Sequence, residues 1–282
     1  MLLKGTALVT GAGSGIGRAV ALACAASGCR AITIADRNFE DVKQTECLVK
    51  EINSHLKVLT VDVDVSESTP AENLVLSTLE AFGRLDYAFN VAGISCKARV
   101  ATATYPMQEY DNIQAINARG LALCTQFEIR AMLEQDPRVT IDSHSPLRAQ
   151  RGSIVNIAST CATNVIPDLF PYVASKHTVM GITKAAGIDH AKDLVRVNAV
   201  CPGLVETPMI AARRAQLQHR EQETPPSTHS EVWAPANMYN TPLGRLALAD
   251  EVADTCIFLA SSMASHITAS SITVDGGRTS AY

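Results

Sequence analysis

The stretch Thr10-Gly11-Ala12-Gly13-Ser14-Gly15-Ile16-Gly17 joins a short apolar run, Gly5–Thr10, to an amphipathic segment, Gly15–Ser27. Glycines there let the chain turn tightly and let backbone approach a pyrophosphate, which would sit on the free N–H groups of a helix start. The spacing of Gly11, Gly15 and Gly17 is GxxxGxG, not GxGxxG, so the general dinucleotide fingerprint is not met by spacing alone. The position between the first strand and first helix favours a phosphate-binding turn over a generic one. Ser14 and Ile16 fall inside the turn and join the glycines as candidate contacts.

Outward from this turn the same rhythm repeats. Further short apolar runs lie at Ala31–Ala35, Val58–Val63, Leu85–Val91, Ser153–Ala158, Val195–Val200 and Ser271–Val274. Several are continuous β-branched runs, as in strands covered by helices on both faces. Between them lie helical patterns at Glu40–Ser54, Ala71–Phe82, Met107–Leu133, Tyr172–Ala191 and Asp250–Ala260. The alternation predicts one α/β domain over residues 1–282, a doubly wound parallel sheet of about seven strands. Two stretches interrupt it. Residues 136–151 precede a strand and read as a surface insertion at the edge opposite the ligand edge. Residues 206–241, with Pro208, Pro225, Pro226, Pro235 and Trp233, follow a strand end and read as a substrate lid. The charged run Arg213–Glu223 reads as the solvated face of a lid helix.

Composition excludes several classes. The 282 residues are 47% apolar and 18% charged, enough for a sizeable core and unlike a disordered chain. A net charge of −4 and 5% aromatics lack the basic footprint and stacking surface of a nucleic-acid binder. No apolar run reaches the roughly 18 residues that span a bilayer, so no membrane association is expected. Met1–Lys4 leave no room for a signal peptide, and the eight cysteines, none in CxxC spacing, read as free thiols. The expected compartment is the cytosol. The seven histidines form no HxH or HxxxH, so no metal site is expected.

Asp36 closes the second strand, 19 positions after Gly17. A carboxylate there accepts hydrogen bonds from both ribose hydroxyls and repels a 2′-phosphate, which favours NAD over NADP. Arg37 beside it argues the other way, because a guanidinium recruits that phosphate. Capping or turn chemistry is the plainer role for Asp36.

The order and intervals of several blocks then identify the chain as resembling the short-chain dehydrogenase/reductase family over essentially its whole length. The blocks are TGAGSGIG at 10–17, Asp62-Val63, NVAG at 90–93, Asn117, Ser159, YVASK at 172–176 and PG at 202–203. The resemblance implies a Rossmann fold, a nicotinamide cofactor and an oxidoreductase acting on CH–OH groups. It implies that Tyr172 is the general acid/base. Lys176, four residues on and on the same helix face, would lower the phenol's pKa from near 10 and bind the nicotinamide ribose. Ser159 would hydrogen-bond the reacting oxygen, and Asn117 would hold a water in a proton relay. Asp62 and Val63 would contact adenine; Asn90, Ala92 and Gly93 would lie along the adenosine half. Pro202, Gly203, Val205 and Thr207 would stand beside the nicotinamide carboxamide. Taken singly, a Tyr/Lys pair at i, i+4, a Ser after a strand or an Asn in a helix is ordinary surface, capping or core chemistry; the conjunction is what carries the reading.

By position, Ile94, Ser95, Cys96, Thr160, Cys161, Ile166, Leu204, Met209 and Trp233 would wall a substrate pocket, with Arg99 and Arg213 the nearby cations. The mostly apolar set predicts a small, neutral, hydrophobic secondary alcohol or ketone, with a polycyclic terpenoid, steroid-like or polyketide skeleton as the leading class. NAD would favour oxidation of the alcohol. A homodimer or homotetramer is implied by the family. An isomerase or dehydratase using the same tyrosine, and a cofactor-sensing protein without catalysis, are the alternatives.

Overall fold

The computed structural model describes residues 2–139, 145–212 and 241–281. Seven parallel strands form one sheet in the order β3-β2-β1-β4-β5-β6-β7. They are β1 (Thr6–Thr10), β2 (Ala31–Asp36), β3 (Lys57–Asp62), β4 (Tyr87–Asn90), β5 (Gly152–Ile157), β6 (Val195–Pro202) and β7 (Ser271–Val274). The central strands β1, β4, β5 and β6 are buried along their whole length, their polar residues Asn90, Asn156, Arg196 and Asn198 included. Strand order reverses between β1 and β4, where Thr10 pairs with Asn90. The crevice at the C-terminal ends of those two strands is where open α/β sheets take ligands.

Helices cover both faces. On one lie α1 (Gly15–Ser27), α2 (Phe39–Ile52) and α7 (Ala249–Ala260), sharing a core with Val9, Ile34, Phe89 and Val155. On the other lie α3 (Ser68–Phe82), α5 (Leu121–Leu133) and α6 (Phe170–Asp189), the first two packed on Leu8, Ala88 and Ile154. Helix α3 starts three residues before the expected Ala71, because Pro70 sits in its first turn, where no N–H is needed.

The expected single helix Met107–Leu133 is interrupted. It consists of α4 (Met107–Gln114), a π-helical turn over Ala115–Gly120 and α5. Such turns commonly mark functional sites. This one carries Asn117, whose side chain is tied to the backbone of another loop.

Of residues 136–151, those at 136–139 and 145–151 are described. Arg138 and Gln150 exchange backbone hydrogen bonds of 2.8 and 2.9 Å. Gln150 is buried and accepts from Arg196 Nε at 3.0 Å, and Arg148 donates to Ser265 Oγ at 3.1 Å. Of the expected lid, only 206–212 and Thr241 fall within the described residues, with a helix starting at 208. Trp233 and the whole of the run Arg213–Glu223 lie outside them. Among the described residues no helix is long and apolar enough to cross a membrane, and no cluster of His, Cys, Asp and Glu could hold a metal.

Candidate active site

A cavity of about 310 Å³ opens over the crevice, lined by Gly11, Ser14, Gly15, Ile16 and Gly17 from the glycine turn. Asp36 and Arg37 line it from the end of β2, and Ala92, Gly93 and Ile94 from the end of β4. The turn is shaped for a ligand that backbone must touch. Gly11 has φ 68°, and a Cβ on it would come within 2.7 Å of the Ala92 nitrogen. A Cβ on Gly17 would meet the Gly11 carbonyl oxygen at 2.0 Å, so only glycine lets the helix start this close to the strand. Side chains fix the turn from behind. Asp36 Oδ2 accepts from Gly13 N at 3.0 Å, Thr45 Oγ1 donates to the Ala12 carbonyl at 2.8 Å, and Arg18 donates to the Gly13 carbonyl. An open helix start, a glycine cradle and a carboxylate one strand away fit a dinucleotide: pyrophosphate on the turn, ribose at Asp36.

Four expected contacts are corrected by their placement, and a fifth is moved to the neighbouring cavity. Asp62 is exposed and ends β3 in register with Asp36; Val63, Asp64 and Val65 line the cavity instead. The sequence repeats Asp-Val at 62–63 and 64–65, and the loop pair after the strand end is the one that faces the crevice. Asn90 is buried away from the cavity. Its Nδ2 donates to Glu128 Oε2 at 2.9 Å and to Asn156 Oδ1 at 3.1 Å, so it ties β4 to β5 and α5. Pro202 ends β6 inside the sheet, and Val205 pairs with Ala247 in an isolated bridge. Gly203 donates its N–H to the Val274 carbonyl at 2.9 Å and lines the second cavity described below. These last three hold the chain so that Thr207 and Pro208 reach the first cavity. Met209, expected on the substrate wall alone, lines this cavity too.

The Asn90 cluster contains a buried titratable group, Glu128. Burial pushes the Glu128 carboxyl up to about 8, while its hydrogen bond from Asn90 pulls the other way. Glu128 Oε1 and Asn90 Oδ1 both lack a donor among the described residues. A proton held on Glu128 matches that deficit of donors.

Tyr172 and Lys176 share a face in the first half of α6, and both line the first cavity. Lys176 Nζ lies 5.7 Å from the centre of the Tyr172 ring and donates to the Ile157 carbonyl at 2.8 Å. Burial lowers the Lys176 ammonium to about 8. Ser159 stands just past β5, where its Oγ accepts from Cys161 N at 3.1 Å, which leaves its O–H to donate elsewhere. Asn117 lines neither cavity. It accepts from Ile94 N at 2.8 Å and donates to the Ile94 carbonyl at 2.9 Å and Ser175 Oγ at 3.1 Å. It braces the Gly93–Ile94 loop: a Cβ on Gly93 would lie 3.3 Å from Asn117 Oδ1 and 3.7 Å from Lys176 Nζ. In these contacts the Asn117 side chain positions the Gly93–Ile94 loop.

A second cavity of about 360 Å³ adjoins the first and shares Gly93, Ile94, Tyr172 and Met209 with it. Ser159 lines it, as do the expected wall residues Ser95, Cys96, Thr160, Cys161, Ile166 and Leu204. Leu169, Ile210 and Arg278 line it as well: Ile210 comes from the start of the expected lid, whereas Arg278 comes from the turn after β7, which sequence spacing does not connect to the site. Tyr172 therefore stands on the boundary between a nucleotide-shaped cavity and a mostly apolar one.

Fold and site together define a nucleotide-binding α/β protein with an acid–base group beside the cleft. The family model described as enoyl-(acyl carrier protein) reductase matches residues 11–279. The short-chain dehydrogenase fogB of Aspergillus ruber is 36% identical over 282 residues, 99% of this chain and 98% of that one. The crystal structure of levodione reductase superposes with a TM-score of 0.83 at 31% identity, covering 99% of this chain and 98% of that one. A 3-ketoacyl-(acyl-carrier-protein) reductase from Brucella melitensis complexed with NADH gives a TM-score of 0.78 at 29% identity, covering 99% of both chains. An actinorhodin polyketide ketoreductase with NADPH gives 0.81 at 33% identity, covering 97% of both. The chain belongs to the short-chain dehydrogenase/reductase family, oxidoreductases that bind a nicotinamide cofactor.

Proposed function

We propose that the protein interconverts a secondary alcohol and its ketone with NAD, Tyr172 being the general acid/base. The observation that carries this reading is that Tyr172 lines both cavities while Lys176 Nζ lies 5.7 Å from its ring. The glycine turn and Asp36 would hold the dinucleotide, and Lys176 its nicotinamide ribose. When bound, the nicotinamide ring supplies hydride to the carbonyl carbon or accepts it from the alcohol. In reduction the Tyr172 phenol donates its proton to the carbonyl oxygen, and in oxidation the phenolate takes the alcohol proton. The Lys176 ammonium favours the phenolate by charge, and Ser159 donates a hydrogen bond that orients the reacting oxygen. Asp36 supports NAD, because a carboxylate repels a 2′-phosphate; Arg37 on the same rim is the group that would oppose it. Leu204, Ile166, Ile210 and Met209 give the substrate's body an apolar wall. A homodimer or homotetramer is the assembly we propose, supported by a groove between α5 and α6 lined by Ile129, Leu133, Ile182 and Ala186.

The test is cofactor-linked turnover by the purified protein against a panel of apolar secondary alcohols and ketones, with NAD(H) and NADP(H) side by side. The reading expects one structural class to turn over with NAD(H) at least about tenfold more efficiently than with NADP(H). Preference for NADP(H) would move the cofactor reading from Asp36 to Arg37. Product formation without net cofactor turnover would replace the oxidoreductase reading with an isomerase or dehydratase.

A further inference from the structure

We propose that Arg99 binds an acidic oxygen of the substrate, so that the natural alcohol or ketone carries a carboxylate or an ionised phenol or enol on its apolar skeleton. The proposal rests on the reading of the second cavity as the substrate site, and it replaces the fully neutral substrate that the sequence suggests.

Charge in that cavity has one sign. Lys97, Arg99 and Arg278 line it, and no Asp or Glu does among the described residues. Arg99 is half-buried there, with no hydrogen bond or ion pair among the described residues. Burial lowers its pKa, and Asp168 is the only carboxylate among the described residues whose field opposes that. Asp168 is exposed, in a left-handed conformation at φ 61°, and forms no ion pair with Arg99.

The acidic group nearest in sequence, Glu109, is otherwise engaged. Glu109 accepts from the backbone N–H of Lys97 at 2.5 Å, from that of Ala98 at 3.2 Å and from the Tyr105 hydroxyl at 3.1 Å. The carboxylate thus fixes the loop that presents Arg99 rather than neutralising it. A guanidinium on a braced loop is pre-organised, with a planar fork of donors matched to oxyanions.

The energetics favour an anion. A neutral apolar ligand filling the cavity strips water from Arg99 and returns nothing, which costs affinity. A ligand with an acidic oxygen restores those hydrogen bonds as charge-assisted ones and recovers the cost. The cation therefore discriminates between two ligands of the same skeleton by both attraction and penalty.

The test compares matched ketones with the NADH-loaded protein: acetylbenzoate against its methyl ester, and a nitro-substituted hydroxyacetophenone, ionised at neutral pH, against its methyl ether. Binding is read by calorimetry and reduction by loss of NADH absorbance, for wild type, Arg99→Gln, Arg99→Lys and Asp168→Asn. The expected result is a wild-type preference of about 10- to 100-fold for one anionic member, the scale of a charge-assisted hydrogen bond. Arg99→Gln abolishes it, Arg99→Lys keeps part of it, and Asp168→Asn leaves it in place. The pair that shows the preference identifies carboxylate or phenolate as the recognised group. NADH affinity is unchanged in every variant, since Arg99 does not line the first cavity, and this reports that the variants are folded. Equal handling of both members by wild type overturns the proposal, as does an Asp168→Asn variant that behaves like Arg99→Gln, because Arg99 would then serve as an anchor for that loop. Arg99-dependent binding without reduction keeps the proposal and overturns the oxidoreductase reading. Turnover without Arg99 dependence does the reverse, and neither binding nor turnover overturns both.

Discussion

The two cavities that meet at Tyr172 are made of different material. The first is shaped by backbone: Gly11 at φ 68°, Gly17 against the Gly11 carbonyl, and Gly93 near Asn117 and Lys176. The second is shaped by side chains that loops deliver after β4, β5 and β6, among them Cys96, Arg99, Cys161, Ile166 and Leu204. A backbone cradle is bound up with the fold, because the turn that touches the ligand also closes the helix onto the strand. A side-chain wall can change without disturbing either neighbouring strand. On the proposed function, the first cavity defines the class of cofactor and the second the individual substrate.

Breaking this contrast starts with the groups on the boundary. Lys176→Met should lower kcat/KM by about 10²-fold or more, since both the ammonium that steadies the phenolate and the ribose contact are removed. Steady-state kinetics with each substrate class checks this, and a loss confined to one class would assign Lys176 to the substrate side. Gly17→Ala should weaken NADH binding by about 10- to 100-fold, since its Cβ would fall 2.0 Å from the Gly11 oxygen and the turn must open. Fluorescence titration measures it, and unchanged affinity would mean that the turn is not the cradle. Asp36→Asn should erase discrimination against NADP, a change of about tenfold in the ratio of cofactor affinities. Met209→Ala, on the wall shared by both cavities, should change KM by only about 3- to 10-fold with the cofactor affinity nearly constant.

Glu128→Gln should leave both cavities alone and change only stability with pH. The folded-state carboxyl titrates at about 8 against an ordinary 4.5, so the folded protein holds the extra proton between those values. Wild-type stability contributed by this group is present below pH 4.5 and is lost as pH rises towards 8. Lys176 has the opposite sign: titrating at about 8 against an ordinary 10.5, it makes stability rise with pH between those values. Urea unfolding should find Glu128→Gln close to wild type at low pH and more stable above pH 8, by on the order of 5 kcal/mol. A gap that does not change with pH would contradict a neutral Glu128.

Much of this was legible in the sequence because local pattern and tertiary role coincide there. Thr10–Gly17 reads as a strand–turn–helix, and short, mostly apolar β-branched runs read as strands buried on both faces. Tyr172 and Lys176 lie one helical turn apart, so their common face follows from spacing. Other features depend on contacts that spacing does not encode. Asp62 and Asp64 carry the same Asp-Val signature, and only the register that ends β3 opposite Asp36 shows which one leaves the sheet towards the cavity. The π turn at Ala115–Gly120 has unremarkable helix composition; in the structure Asn117 is fastened to Ile94 from that turn. Asn90 looks like a crevice residue at a strand end, yet its partners Asn156, Glu128 and Thr125 come from β5 and α5, 35 to 66 positions away. By position Arg99 is one of two nearby cations; its place on the wall of the second cavity, just after the backbone that Glu109 ties down, is a tertiary feature that spacing does not encode.

The most direct test of the account is Tyr172→Phe, which removes one oxygen from the boundary of the two cavities. Stopped-flow measurement of the hydride-transfer step should fall by about 10²- to 10⁴-fold, while NADH affinity and the melting temperature stay near wild type. A variant that keeps turnover within about threefold of wild type, or that loses cofactor binding together with turnover, would contradict Tyr172 as the general acid/base.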